Sequence, residues 1–335
     1  MALHGAAAHA GDAGVQAIPS PGAGAVTPLV DLARRVAAEP GPAAVSRKLS
    51  AAADARAVDL IEGFQQEAGP PPADFAWVDL GSMARRELHC ASDQDNALVW
   101  ATTEAAASPY ARDLAQHVIG GLADFGLRPC AGGFMADKWS MGLGEWCSHL
   151  RRCVAEPTPD AVLETDVFGD LRPIAGSLDT AVATEVLLSG SDSMRLLHGL
   201  AACATSFHLP LGLWGRIRGD EIDLKRAGLT PLVLMARLYG LRVRSPAVGT
   251  TDRLVAAGDA GLLGTRLTGD LCAAFDLFTA LRLQRQLEQA DAGATLTDKL
   301  PLAELSRDRL HELRDALKAV KTAQDTTAWT FRTDL

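Results

Sequence analysis

One stretch restricts the folds open to this chain more than any other. Gly81-Ser82-Met83-Ala84-Arg85-Arg86-Glu87 is followed, four residues later, by Ser92-Asp93-Gln94-Asp95-Asn96. Side chains two apart on a strand point to the same face. Asp93 and Asp95 are therefore expected side by side, as the all-oxygen donor set that a hard divalent cation such as Mg²⁺ shares with phosphates. Gly81 permits close backbone approach. Ser82 places a hydroxyl at a predicted helix N-terminus, where free N–H groups attract anions, although a simple N-cap explains a serine there equally well. Residues 75–80 and 96–101 read as the strands on either side, with Gln94 and Asn96 turned to the opposite face or edge.

Two further blocks accompany the first. One is Asp170-Leu171-Arg172-Pro173-Ile174-Ala175-Gly176. The other begins at Ile222-Asp223-Leu224-Lys225 and runs through Gly228-Leu229-Thr230-Pro231-Leu232-Val233 to Ala236-Arg237-Leu238-Tyr239-Gly240-Leu241. Together the three resemble the DNA polymerase β-type nucleotidyltransferase superfamily, in particular its members that carry a C-terminal substrate-binding domain. Those are similar in turn to the catalytic domains of protein-PII uridylyltransferase and glutamine-synthetase adenylyltransferase. The resemblance covers roughly residues 45–325. It implies an α+β fold: a polymerase β-type core, built as a small mixed sheet with helices, plus a helical C-terminal domain.

The same resemblance implies roles for named residues. Asp93, Asp95 and Asp170 would hold two Mg²⁺ ions, with Asp170 on a later strand as third metal ligand or general base. Gly81 and Ser82 would cradle the β- and γ-phosphates of an NTP, UTP or ATP. Arg85 and Arg172 would reach phosphate, since guanidinium suits that geometry; an Arg85–Glu87 pair, or Arg172 buried against an acid, are the structural alternatives. Gly169 departs from the family pattern, which has a large apolar residue there. The implied reaction moves an NMP unit to a hydroxyl, as protein-PII uridylyltransferase does on a protein side chain. A nucleotide-binding regulatory protein without turnover, and transfer to RNA or to a small molecule, are the rival readings.

The chain is expected to divide into a disordered Ala/Gly/Pro-rich tail (1–27), a helical lead-in (28–72), a catalytic domain (73–177) and a helical substrate-binding domain (178–325). Residues 110–126, 139–150, 271–287 and 305–320 show helical periodicity. Residues 162–168 read as the strand that delivers Asp170. His89 reads as a packing or surface residue, as do His117 and His149. Asp223, Lys225, Arg237, Asp252 and Arg253 read as lining the cleft or linking helices, not as catalytic.

With 335 residues and 48% hydrophobic content, the chain can bury sizeable cores. A net charge of −9 and no long Lys/Arg run argue against nucleic acid as a partner. The most apolar run, residues 196–214, contains His198, His208 and Pro210, so a buried helix is expected there and not a membrane span. The six cysteines form no Cys-x-x-Cys, and no Cys/His cluster has zinc spacing in sequence. They read as reduced thiols of a cytoplasmic protein.

Overall fold

The structure is a computed structural model that describes residues 27–39, 41–212 and 215–333. The disorder expected of the N-terminal tail thus falls almost wholly outside the described residues. Helices α1 (Pro28–Val36) and α2 (Pro42–Ala68) precede strand β1 (Phe75–Asp79) and the single turn α3 (Gly81–Ala84). Then come β2 (Asp93–Gln94), β3 (Asn96–Trp100), α4 (Thr103–Ala106), α5 (Pro109–Phe125), β4 (Arg128–Pro129), β5 (Ser140–Gly142), α6 (Leu143–Ala155), α7 (Pro159–Phe168), β6 (Arg172–Gly176) and α8 (Ala181–Leu188). A helical lobe follows, with α9 (Met194–Thr205), β7 (Glu221–Asp223), α10 (Thr230–Arg242), α11 (Thr250–Asp259), α12 (Thr265–Asp291), β8 (Lys299–Pro301) and α13 (Arg307–Phe331). This is the expected α+β architecture, a small mixed sheet with a helical C-terminal region. No helix among the described residues is long and apolar enough to cross a membrane.

The sheet has the order β5-β3-β1-β6. β1 runs antiparallel to both β3 and β6, and β3 runs parallel to β5. Every residue of β1 and β3 is buried, because both faces of the sheet are covered. Phe75 and Trp77 pack with Leu98 and Trp100 against residues of α2 and α5, such as Leu60 and Val118. Ala76, Val78 and Leu80 face the other way, onto Trp146 and Leu150 of α6 and Phe168 of α7. A strand buried on both sides reads in sequence as a continuous apolar run, which is how FAWVDL appears. Gly176 ends β6 at φ +93°, with Phe75 O so close that a side chain there would collide with it. That contact explains the glycine of the second sequence block.

The strand expected over 162–168 is instead α7. Thr158 Oγ1 accepts from Ala161 N and Pro159 occupies the first turn, a strong helix start. It outweighs the β-branched residues Val162, Thr165 and Val167, whose strand preference is weak when packing decides. Asp170 therefore leaves the end of a helix, in the turn that leads into β6. The helix expected from residue 139 begins only at Leu143, since Ser140–Gly142 pair with β3 instead.

In the helical lobe, Leu197, Leu200, Leu232, Leu238, Phe278 and Leu317 share one core. A π-helical turn, Lys225–Leu229, precedes α10. Gly228 lies in it, where a Cβ would meet the Phe278 ring at 2.8 Å.

Candidate active site

The end of β1 and the start of β3 are joined where Leu80 N donates to Asp95 O at 2.9 Å. This places the Gly81-Ser82 turn directly on Asp95. Gly81 takes φ +54°, and a methyl group there would overlap Asp95 Oδ2. The alternation expected of the Asp-x-Asp segment holds. Gln94 and Asn96 are fully buried. Gln94 Nε2 donates to Ile119 O and Leu127 O, both at 3.1 Å, and to its side-chain oxygen Asn96 Nδ2 donates at 3.1 Å. Asn96 Oδ1 accepts from Ala136 N at 2.8 Å. With these two amides satisfied on the inside, Asp93 and Asp95 are left half-buried on the outside. Asp93 pairs with Arg128 at 3.0 Å, at the register where β2 meets β4.

Both aspartates line a cleft between the lobes with about 210 Å³ of free space. The sheet side also supplies Gly81, Ser82, Arg85, Glu87, His89 and Ser92; the helical side supplies Lys225, Thr230, Val233, Leu234, Arg237, Phe275 and Arg282. Burial pushes the Asp95 carboxyl up, and Asp93 adds to that; a hydrogen bond with the Cys130 thiol and the nearby Arg85 and Arg237 oppose it. His89 is buried with Nδ1 unpartnered among the described residues. Burial, then Arg282 and Lys225, hold its pKa well below the usual imidazole range, so it is neutral near pH 7.

Asp170 sits outside that lining, fully buried, with guanidiniums on both carboxylate oxygens. Arg253 reaches Oδ1 at 2.5 Å, while Arg85 and Arg237 both reach Oδ2. Burial by itself would raise the Asp170 pKa, but Arg237, Arg85 and Arg253 outweigh it and hold the carboxyl far below the ordinary range. Arg85 also pairs with Glu87 at 2.6 Å, and Arg237 with Asp166. Glu87 in turn accepts from Thr250 N, at the start of α11, at 2.8 Å. Arg237 lies on α10 and Arg253 on α11, so the cluster bolts the helical lobe to the sheet lobe. Gly240 makes room for it: a Cβ there would meet Arg253 Cδ at 2.9 Å. Arg172 belongs to a separate joint. It grips Asp54 with two hydrogen bonds, at 2.9 and 2.8 Å, reaches Asp79 at 3.0 Å, and donates to Ala84 O and Met83 O.

Two family models match the chain. Putative nucleotidyltransferase DUF294 covers residues 29–160, and the Putative nucleotidyltransferase substrate binding domain covers residues 194–331. The chain belongs to this nucleotidyltransferase family. No curated protein matches it. The matched models describe nucleotidyl transfer, a reaction whose substrate is a nucleoside triphosphate.

In this nucleotidyltransferase the expected site residues divide into two groups. Gly81, Ser82, Arg85, Asp93 and Asp95 come together in the cleft. Asp170 and Arg172 do not line it, and both fall between the two matched segments. Asp170 is next to the cleft, reached through Arg85 and Arg237, whereas the donors of Arg172 are spent on α2, β1 and the end of α3. Sequence reasoning missed the part played by Arg237 and Arg253 in tying down Asp170. The place of Arg237 in the third block was the available signal; Arg253 lies beyond that block. The half-buried Asp93 and Asp95 carboxylates, the second against the Gly81 backbone and raised in pKa by burial and a like charge, are oxygen donors of the kind that could hold a hard divalent cation such as Mg²⁺.

Proposed function

We propose that the chain is a Mg²⁺-dependent nucleotidyltransferase that moves an NMP unit from an NTP to a hydroxyl. Its action would resemble that of protein-PII uridylyltransferase, with a protein side chain as acceptor. The observation that carries this reading is the seating of the Gly81-Ser82 backbone on Asp95, in the same cleft as Asp93, Arg85, Lys225 and Arg237. Asp93 and Asp95 would hold the metal, which when bound lowers the pKa of an attacking hydroxyl and neutralises charge on the departing pyrophosphate.

The chain's own groups do the rest. Ser82 offers its hydroxyl to a phosphate oxygen, and Gly81 leaves space for the chain of phosphates. Arg85 is held through Nε and Nη1 by Glu87 and Asp170, and its Nη2 has no partner among the described residues. That nitrogen is available to a phosphate without loss of either ion pair. Lys225 adds a mobile ammonium from the exposed rim. Asp170, the expected third metal ligand, acts through Arg85 and Arg237 and holds both at the cleft wall; its Oδ2 would be open to a cation only if both guanidiniums moved away. Val233, Leu234 and Phe275 form an apolar wall opposite the carboxylates. Such a wall favours an acceptor with an aromatic body and a hydroxyl tip, such as tyrosine, over a sugar.

The occupied oxygens of Asp170 favour one second reading, a nucleotide-binding regulatory protein without turnover. Incubation with Mg²⁺, labelled NTPs and cell extract separates the two. An enzyme releases pyrophosphate and transfers label to protein, and Asp93→Asn or Asp95→Asn lowers turnover by about 10³-fold, the equivalent of ~4 kcal/mol of lost charge stabilisation. Saturable nucleotide binding with no pyrophosphate release, or full turnover by Asp95→Asn, refutes the proposal. Label in a metabolite would overturn the choice of acceptor alone.

A further inference from the structure

Away from the cleft, α6 and α7 bring three different ligand types to one point. His149 and Cys153 are four residues apart on α6 and so share a face; Glu164 faces them from α7. His149 Nε2 lies 2.8 Å from Glu164 Oε2 and 3.6 Å from Cys153 Sγ, and Sγ lies 3.3 Å from that same oxygen. Among the described residues, this is the one group of three or more His, Cys, Asp or Glu side chains whose ligand atoms all lie within 4.8 Å of one another.

We propose that His149, Cys153 and Glu164 form a zinc site with a fourth, solvent-filled position. Tetrahedral zinc, with bonds of about 2.3 Å to sulfur and about 2.0–2.2 Å to nitrogen and oxygen, sets N···S and S···O near ~3.6 Å and N···O near ~3.4 Å. The N···S separation already has that value, and S···O is a few tenths of an ångström short. Only the His149–Glu164 hydrogen bond has to open, by about 0.6 Å on these bond lengths, to become shared coordination. Cys153 is buried, while the His149 and Glu164 side chains are 24% and 22% exposed. The ion would enter, and its water would sit, on that open side. A thiolate with an imidazole and a carboxylate selects zinc over magnesium or calcium. Trp139 packs edge-on to the His149 ring, with centroids 5.5 Å apart, and fixes its plane.

A Cys-His-Glu nucleophilic triad is a poorer fit. In such a triad the acid holds the ring nitrogen remote from the nucleophile, whereas here Cys153 and Glu164 face the same nitrogen. Zinc on Nε2 leaves the proton on Nδ1, so Arg152, now 3.4 Å from Nδ1 and exposed, turns to solvent. Binding releases the Cys153 thiol proton to water. The ion would clamp α6 to α7, the helix that holds Asp166 and leads into Asp170.

The test uses the full chain, tag-free and stripped with a chelator. Zinc is titrated against a chromophoric chelator, and Co²⁺ is used as a spectroscopic probe. One Zn²⁺ per chain is expected, and Co²⁺ should give a near-ultraviolet thiolate charge-transfer band with the intense visible bands of a tetrahedral site. Cys153→Ser should abolish the charge-transfer band. His149→Gln and Glu164→Gln should each weaken zinc at least about 100-fold, the upper end of what even outer-shell changes cost. Asp93→Asn should leave the band unchanged, which separates this site from the cleft. Absence of a charge-transfer band in the parent chain overturns the proposal, as does persistence of the band in Cys153→Ser. So does unaltered zinc affinity in Glu164→Gln, a variant that keeps the thiolate and the shape of the side chain should Cys153→Ser fail to fold.

Discussion

Replacing Asp170 by asparagine keeps the side chain's shape and removes one buried negative charge. Arg85 still has Glu87 and Arg237 still has Asp166, but Arg253 is left with only the carbonyls of Ala247 and Gly169. Breaking a buried ion pair from one side costs about 3–5 kcal/mol, and here one guanidinium loses its only carboxylate. At roughly 2–4 °C per kcal/mol for a domain of 150–250 residues, the melting midpoint should drop by about 6–20 °C. The measurement is thermal unfolding followed by circular dichroism in metal-free buffer. If Asp170 served only as a metal ligand, the sign would reverse: a buried carboxylate without its cation is a liability, and its removal would leave the midpoint unchanged or higher. The pH dependence has a definite sign as well. The folded-state pKa of Asp170 is held far below the ordinary value, so as pH falls the unfolded chain takes up this proton first. The stabilisation is complete above roughly pH 5 and fades only as pH falls through about 4 and below. The gap between parent and Asp170→Asn should therefore be constant from neutrality to mild acid and close in strong acid. A double variant, Asp170→Asn with Arg253→Met, should recover part of the loss. A midpoint for Asp170→Asn within about 2 °C of the parent in metal-free buffer, at most about 1 kcal/mol on the same scale, would show that the Asp170 charge does not hold the three guanidiniums in place.

Three other perturbations have definite outcomes. Gly81→Ala introduces a Cβ at positive φ and against Asp95 Oδ2; about 1–2 kcal/mol of backbone strain and a marked loss of turnover should appear together in melts and kinetics. Asp95 must be ionised to hold a cation, and burial, with Asp93 adding, raises its pKa. Activity should thus switch on with rising pH at a midpoint above the usual carboxylate value of about 3.9, and Asp93→Asn should move the midpoint of any residual activity down in a kcat/KM profile. Arg172→Met strands Asp54 and Asp79 and should lower stability by about 3–5 kcal/mol without raising the KM for nucleotide in protein that remains folded; a raised KM with an intact melt would instead place Arg172 on phosphate.

The parts of the site that are local in sequence could be read from it. Gly81, Ser82, Asp93 and Asp95 span few residues, and strand alternation predicts that Gln94 and Asn96 turn to the face opposite the aspartates; that this face is the buried one came from the structure. Helices α5, α12 and α13 follow from their apolar periodicity. What could not be read depends on contacts between distant residues. Asp170 meets Arg85, Arg237 and Arg253, which are 85, 67 and 83 positions away, and no spacing rule encodes such an encounter. The error over 162–168 is of a different kind. A short apolar run with β-branched residues is ambiguous between strand and helix, and the Thr158 cap decided it. His149, Cys153 and Glu164 were unreadable as a group because two come from one helix and the third from the next.

Each of the three sequence blocks also supplies a residue to one place. Arg85 comes from the first, Asp170 from the second and Arg237 from the third, and Gly240 of the third clears the path for Arg253. A buried carboxylate that only supports the fold could be replaced, together with its cationic partners, by packed apolar groups at little cost. One that holds two cleft-lining guanidiniums between lobes has a second use. On the proposed reading, an incoming triphosphate would take the free Nη2 of Arg85 and compete with Asp170 for Arg237, so nucleotide binding and the fit of the helical lobe over the cleft would draw on the same ion pairs. A ligand can shift such a joint only by the difference in its affinity for the two arrangements. The charge on the triphosphate, absent from a nucleoside, would supply that difference.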